Sequence, residues 1–172
     1  MNLRTVTKLP DPILRRKAHK VSTFDKELQI LIDDMIATMR NEPGVGLAAP
    51  QVNVSIQVIV VEYPLSEDEE NELPKLFIMV NPEIVEMGAE TVLGIEGCLS
   101  VPGLVGEVER STKILIKGFD RFGRKQKVQA NGWLARIFQH EIDHINGILF
   151  VDRTINVWKP EPEQTSEQII SE

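Results

Sequence analysis

The stretch His140-Glu141-Ile142-Asp143-His144 constrains this chain more than any other. Two histidines four residues apart share a face when the backbone between them is helical, one lying a turn above the other. From there both imidazoles reach one metal ion, and the glutamate after the first can handle a proton beside the ion's open position. H-E-x-x-H is a metal-hydrolase signature. An exposed histidine pair is the bland alternative. The apolar neighbours Ile137, Phe138, Ile142 and Ile145 weigh against it, because they predict a largely buried helix. Buried histidines need partners, and a shared metal is one. Asp143 is either an outer acceptor for such a site or a plain surface group.

The remainder of the 172-residue chain suffices for one domain around that helix. A hydrophobic fraction of 42% and a charged fraction of 26% are those of a soluble globular protein. A formal net charge of −7 gives no electrostatic footprint for nucleic acid or an anionic membrane. No apolar run approaches the roughly 18–20 residues of a transmembrane helix. The opening Met1-Asn2-Leu3-Arg4-Thr5-Val6-Thr7-Lys8 has no apolar h-region, so no secretory signal is expected. Cys98 is the single cysteine, which excludes an internal disulfide and makes a reducing cytoplasm the expected location.

Periodicity predicts a short helix over 11–17 and a longer one capped by Ser22 or Thr23 and running to 40. The stripe Phe24, Leu28, Leu31, Met35 and Met39 forms its buried face. Strands are predicted over 56–62, 77–80, 83–87, 103–108, 114–119 and 125–130, the last two joined by a hairpin turn. Residues 66–72 read as an acidic solvated loop. The motif helix should span 132–145, end at Gly147, and precede a short strand at 148–151. The expected fold is α+β: mostly antiparallel short strands packed around a central HExxH-bearing helix, with further helices near the N-terminus. A single catalytic domain should cover 1–158, followed by a polar acidic tail over 159–172.

Two histidines do not complete a hydrolytic metal site, which needs three protein ligands and one position for water. The candidates for the third are Cys98, in Glu96-Gly97-Cys98-Leu99-Ser100, and several carboxylates. A lone cysteine is ordinarily an inert buried thiol, but beside His140 and His144 the Cys/His/His set is favoured. One thiolate and two neutral imidazoles leave a divalent ion with residual positive charge, enough to lower the pKa of a bound water. That set suits both Fe(II) and Zn(II). A third segment, Gly44-Val45-Gly46-Leu47-Ala48-Ala49-Pro50-Gln51, reads either as a helix-ending turn or as a backbone ledge for an extended ligand, with the Gln51 amide as donor. It lacks the G-K-[ST] ending of a phosphate-binding loop.

In order and spacing, GVGLAAPQ, EGCLS and QHEIDH resemble the three signature motifs of the peptide deformylases, and the likeness spans about residues 3–155. These enzymes remove the N-formyl group from the initiator methionine of new polypeptides. The resemblance implies Cys98, His140 and His144 as metal ligands and Glu141 as general base and acid. It implies Gln51 and the Leu99 backbone N–H as donors to the developing oxyanion, and Val45 and Gly46 as substrate-binding positions. It implies one divalent ion, Fe(II) first and Zn(II) as a fit to the same ligands, and N-formyl-methionyl nascent polypeptides as substrate. Neither nucleic acid nor membrane is an expected partner, and the acidic tail gives no support for docking on the ribosome. Glu96 and Arg110 are expected to pair near the site. Residues 101–107 lack the basic group that many bacterial members carry there, and Arg136 stands where an apolar wall of the methionine pocket is expected. Two alternatives use less of the pattern: a general HExxH metallopeptidase, and a non-catalytic peptide-binding relative.

Overall fold

The computed structural model describes residues 1–65 and 72–161 and the backbone of 170–171. Nearly all of the acidic loop expected at 66–72, and most of the tail, lie outside the described residues. Among the described residues no helix is long and apolar enough to cross a membrane.

The architecture is α+β. Helix α1 (Lys26–Asn41) is followed by strands β1 (Gly46–Ala48), β2 (Val58–Tyr63), β3 (Lys75–Met87), β4 (Thr91–Cys98), β5 (Val101–Ser111), β6 (Lys113–Phe119) and β7 (Lys125–Asn131). Helix α2 (Gly132–Ile145) comes next, then the two-residue strands β8 (Val157–Trp158) and β9 (Ile170–Ser171). One sheet has the order β1-β2-β3-β6-β7, the other β8-β5-β4-β9. Among the described residues every pairing between these strands is antiparallel except β4 with β9, and an isolated parallel bridge joins His19 to Ile56.

The β-branched run in β2 is buried on both faces, which explains why it is apolar throughout rather than alternating. Val58 and Val60 pack with Leu28, Leu31, Ile32, Met35 and Met39 of α1. Ile59 and Val61 point the other way, toward Leu134, Phe138 and Ile142 of α2. Full burial of side chains of this size stabilises by roughly 1.5–3 kcal/mol each, so the first sheet fixes α2 firmly. On its other side, Cys98, Val101 and Val108 of the second sheet cluster with Leu149 and Phe150, just beyond α2. Residues 134–145 of α2 are all buried, as the apolar neighbours of the histidines predicted.

Several local expectations are corrected. The cap of α1 is Asp25 rather than Ser22 or Thr23; its carboxylate accepts the Leu28 N–H at 2.9 Å and also meets the helix dipole favourably. Phe24 therefore lies outside the helix and packs against Phe119. The stretch after Asp11 forms only a 3-10 turn, Pro12–Arg15. The strands expected at 77–80 and 83–87 are one long strand, interrupted in register after Val80. There Asn81 takes a left-handed φ of 51° and its side-chain amide bonds both the N–H and C=O of Val21. Residues 91–98, for which no strand was predicted, form β4. No strand forms at 148–151; Phe150–Asp152 is a 3-10 turn, closed by the Leu149 N–H donating to Asp152 Oδ2 at 2.8 Å. Gly147 ends α2 as expected, with φ of 75° and the Arg15 carbonyl 2.6 Å from where a Cβ would sit.

Candidate active site

Three elements converge at the centre. β4 ends on Cys98, α2 presents His140 and His144 on one face, and the 3-10 turn Ala49–Val52 presents Gln51. His144 Nε2 lies 3.2 Å from His140 Nε2 and 3.3 Å from Cys98 Sγ. Ligand atoms around a tetrahedral ion, at bonds of about 2.0–2.3 Å, stand roughly 3.3–3.6 Å apart. The three side chains are buried, and their ligand atoms all lie within 4.8 Å of one another. The donor chemistry fits as well as the spacing. Glu96 Oε2 accepts the Nδ1–H of His140 at 2.9 Å, which leaves Nε2 with its lone pair directed to the shared point. Burial, with His140 and Arg110 nearby, holds the His144 imidazole well below its ordinary pKa, so it is neutral at pH 7. Phe150 stacks parallel to the His140 ring.

Glu141 is fully buried beside this cluster, with its carboxylate against β1. A Cβ on Gly46 would come within 2.5 Å of Glu141 Oε1, so the glycine is there to admit the carboxylate. Gln51 Oε1 accepts the Ala48 N–H at 2.9 Å, which orients its amide nitrogen to 3.2 Å from Ser100 Oγ and 3.6 Å from Cys98 Sγ. Leu99 follows Cys98 in the turn between β4 and β5, so its N–H is adjacent to the thiol-bearing residue. β1 is the outermost strand of its sheet. The Val45 carbonyl turns inward to the Glu62 N–H. By the alternation of an antiparallel ladder, Gly46 directs its N–H and C=O to the outer edge, where an extended chain can pair.

The N-terminal segment ties the two loops together: Thr7 N–H donates to the Gln51 carbonyl at 2.7 Å and Leu9 N–H to the Ser100 carbonyl at 2.9 Å. The sequence held no signal for these backbone contacts. A groove of about 320 Å³ adjoins the site, with Cys98 and Leu99 at one end and Val6, Lys8, Glu42 and Leu104 among its walls.

Behind the histidines runs a buried chain of charges. Arg110 holds Glu96 in a two-pronged pair, both bonds at 2.9 Å, and reaches Asp143 Oδ2 at 2.6 Å. The expected Glu96–Arg110 pair is therefore present, and Asp143 is an acceptor for arginine rather than a surface group. Arg153, which sequence reasoning missed, closes on Asp143 at 2.6 Å. Its signal was the acid itself, since a carboxylate on a buried helix needs a counter-charge. Burial pushes the Glu96 carboxyl up, but the hydrogen bonds from Arg110 and His140, with the Arg110 charge, outweigh it and hold the group well below the carboxylate range. Its stabilising contribution is therefore complete above the ordinary glutamate value near 4.5 and is lost only as pH falls through its own depressed value. Glu96→Gln should lower unfolding free energy at neutral pH by about 3–5 kcal/mol, because the buried arginines lose their counter-charge. Denaturant titration measures this.

Comparison with known proteins agrees with the geometry. The family model described as polypeptide deformylase matches residues 3–159. A peptide deformylase of Halothermothrix orenii is 45% identical over 157 residues, 91% of this chain and 97% of that one. The crystal structure of peptide deformylase from Thermotoga maritima superposes with a TM-score of 0.81 at 39% identity, covering 91% of this chain and 100% of that one. A class I type b peptide deformylase from Acinetobacter baumannii, solved with Met-Ala-Ser bound, gives a TM-score of 0.81 at 42% identity, with coverage of 88% and 98%. The chain belongs to the peptide deformylase family, enzymes that remove the N-formyl group from nascent polypeptides.

Proposed function

We propose that the chain deformylates N-formyl-methionyl polypeptides with one divalent ion held by Cys98, His140 and His144. The observation that carries this reading is the convergence of those three donor atoms beside the buried Glu141 carboxylate and the Gln51 amide. An ion held by these residues would supply Lewis-acid chemistry, favouring charge on the formyl oxygen and a more acidic water. Glu141 takes the proton of the attacking water and returns it to the peptide nitrogen as the C–N bond breaks. The Gln51 amide and the Leu99 N–H donate to the formyl oxygen as it gains negative charge. Val45 and Gly46 line the edge along which the substrate backbone lies, antiparallel to β1. Met-Ala-Ser bound to the Acinetobacter baumannii relative supports a methionine-led peptide as ligand.

The Cys/His/His donor set suits Fe(II) and Zn(II) alike, and it is the family resemblance that puts Fe(II) first. Iron and zinc analysis of protein purified without air distinguishes them. The cytoplasm is the proposed location, where a reducing environment keeps Cys98 as a ligand.

Metal-replete protein should release formate from formyl-Met-Ala-Ser and leave the peptide bonds of unformylated Met-Ala-Ser intact. Peptide-bond cleavage without formate would instead indicate an endopeptidase. Gln51→Leu should lower kcat by about a hundredfold, the usual cost of one oxyanion donor, with little change in KM. Steady-state kinetics at a fixed metal load tests this, and an unchanged kcat removes Gln51 from the role.

A further inference from the structure

Arg136 lies one turn before His140 on the same face of α2, where an apolar pocket wall was expected. It is only 3% exposed. Its guanidinium is held against the second sheet. Nη1 donates to Glu96 Oε1 at 2.9 Å and to the Val108 carbonyl at 2.8 Å, and Nη2 donates to the Val92 carbonyl at 2.7 Å. The Trp133 ring covers it, 5.1 Å from Cζ to the ring centroid.

Gly94 of β4 lies directly against this guanidinium. A Cβ there would come within 2.7 Å of Arg136 Cζ, 2.8 Å of Nη2 and 2.9 Å of Nε. The φ of Gly94 is outside the left-handed region, so backbone conformation does not call for glycine here. The space it leaves is filled by Arg136.

We propose that Arg136, admitted by Gly94, is a positioning residue for the metal centre, acting through Glu96 on His140. The proposal rests on the ligand role given to His140 above. A carboxylate has about four acceptor sites. On Glu96 these meet Arg110 Nε, Arg110 Nη2, His140 Nδ1–H and Arg136 Nη1, each at 2.9 Å. Arg136 is itself anchored to a carbonyl on each strand of the β4–β5 hairpin. It therefore fixes the carboxylate relative to the strand that delivers Cys98, and with it the direction in which His140 Nε2 points. Lysine has no planar fork and cannot reach all three acceptors at once.

The test compares the wild-type holoenzyme with Arg136→Met, Arg136→Lys, Gly94→Ala and the Gly94→Ala/Arg136→Met double variant. Two readouts are used: the rate of metal loss to a chelator, and kcat and KM for formyl-Met-Ala-Ser. Arg136→Met should lose metal about 10- to 100-fold faster, the usual effect of removing such a support. It should also lower kcat while KM stays within about twofold, and Arg136→Lys should recover part of both. Gly94→Ala should act in the same direction alone and add nothing when combined with Arg136→Met, because both changes disturb one contact. Unchanged metal retention and kcat in Arg136→Met would overturn the proposal, even with a lowered melting temperature. So would a change confined to KM, which marks a pocket wall, or strictly additive single effects. Wild-type protein that binds no stoichiometric metal overturns the metal-site reading itself, and is thereby told apart from failure of this proposal alone.

Discussion

Glu141→Ala should abolish turnover while the metal stays in place. A positioned acid–base group is worth about 10²–10⁴ in rate, and Glu141 is given two proton transfers in one cycle, so a loss of roughly a thousandfold or more is expected. The metal should remain, because the proposed ligands are Cys98, His140 and His144 and do not include this carboxylate. Formate release and metal content, measured on the same preparation, give both halves of the result. Substantial residual turnover would take Glu141 out of the mechanism; loss of the metal would move it into the coordination sphere. Gly46→Ala is a milder form of the same experiment. Its new methyl would fall within 2.5 Å of Glu141 Oε1 and push the carboxylate aside without changing its charge.

Cys98→Ala has the second large effect, and it is opposite in kind. The fold should survive, since the change removes one sulfur from a cluster that keeps Val101, Val108, Leu149 and Phe150. Tight metal binding should be lost, because two imidazoles alone are a poor site for a divalent ion that has to retain an open position. Metal analysis after dialysis against a chelator measures this, with melting temperature as the control for folding. A stoichiometric ion in the variant would mean that Cys98 is not a ligand.

The parts of the molecule legible in the sequence are those governed by short-range rules. The bounds of α2 follow from apolar spacing and from Gly147, and the β6–β7 hairpin from two strand-like segments around the turn at Asp120 and Gly123. The Cys98/His140/His144 cluster was legible because helix geometry forces the two histidines together, and because Cys98 stands in a recognisable motif. Family membership favours the deformylase reading over the endopeptidase and binding-protein alternatives. What escaped depends on contacts distant in sequence. Gly46 read as part of a turn or of a ledge for substrate, yet its lack of a side chain also serves Glu141 on another element. Arg136 looked like an intruder in an apolar wall, because its acceptor Glu96 is 40 positions away. The strand expected at 148–151 failed because one carboxylate, Asp152, captures the Leu149 N–H.

The site is drawn from widely separated parts of the chain, and this orders the protein's own biogenesis. The amide donors at Thr7 and Leu9 are made first, Cys98 much later, and the histidine helix later still in the 172-residue sequence. During synthesis the thiol precedes both of its partners, in a hairpin whose covering helix does not yet exist. On the proposed ligand set, ion capture is therefore a late step of maturation, because all three donors exist only once α2 has been made. Oxidant or scarce metal in that interval would act on an immature thiol rather than on the finished centre.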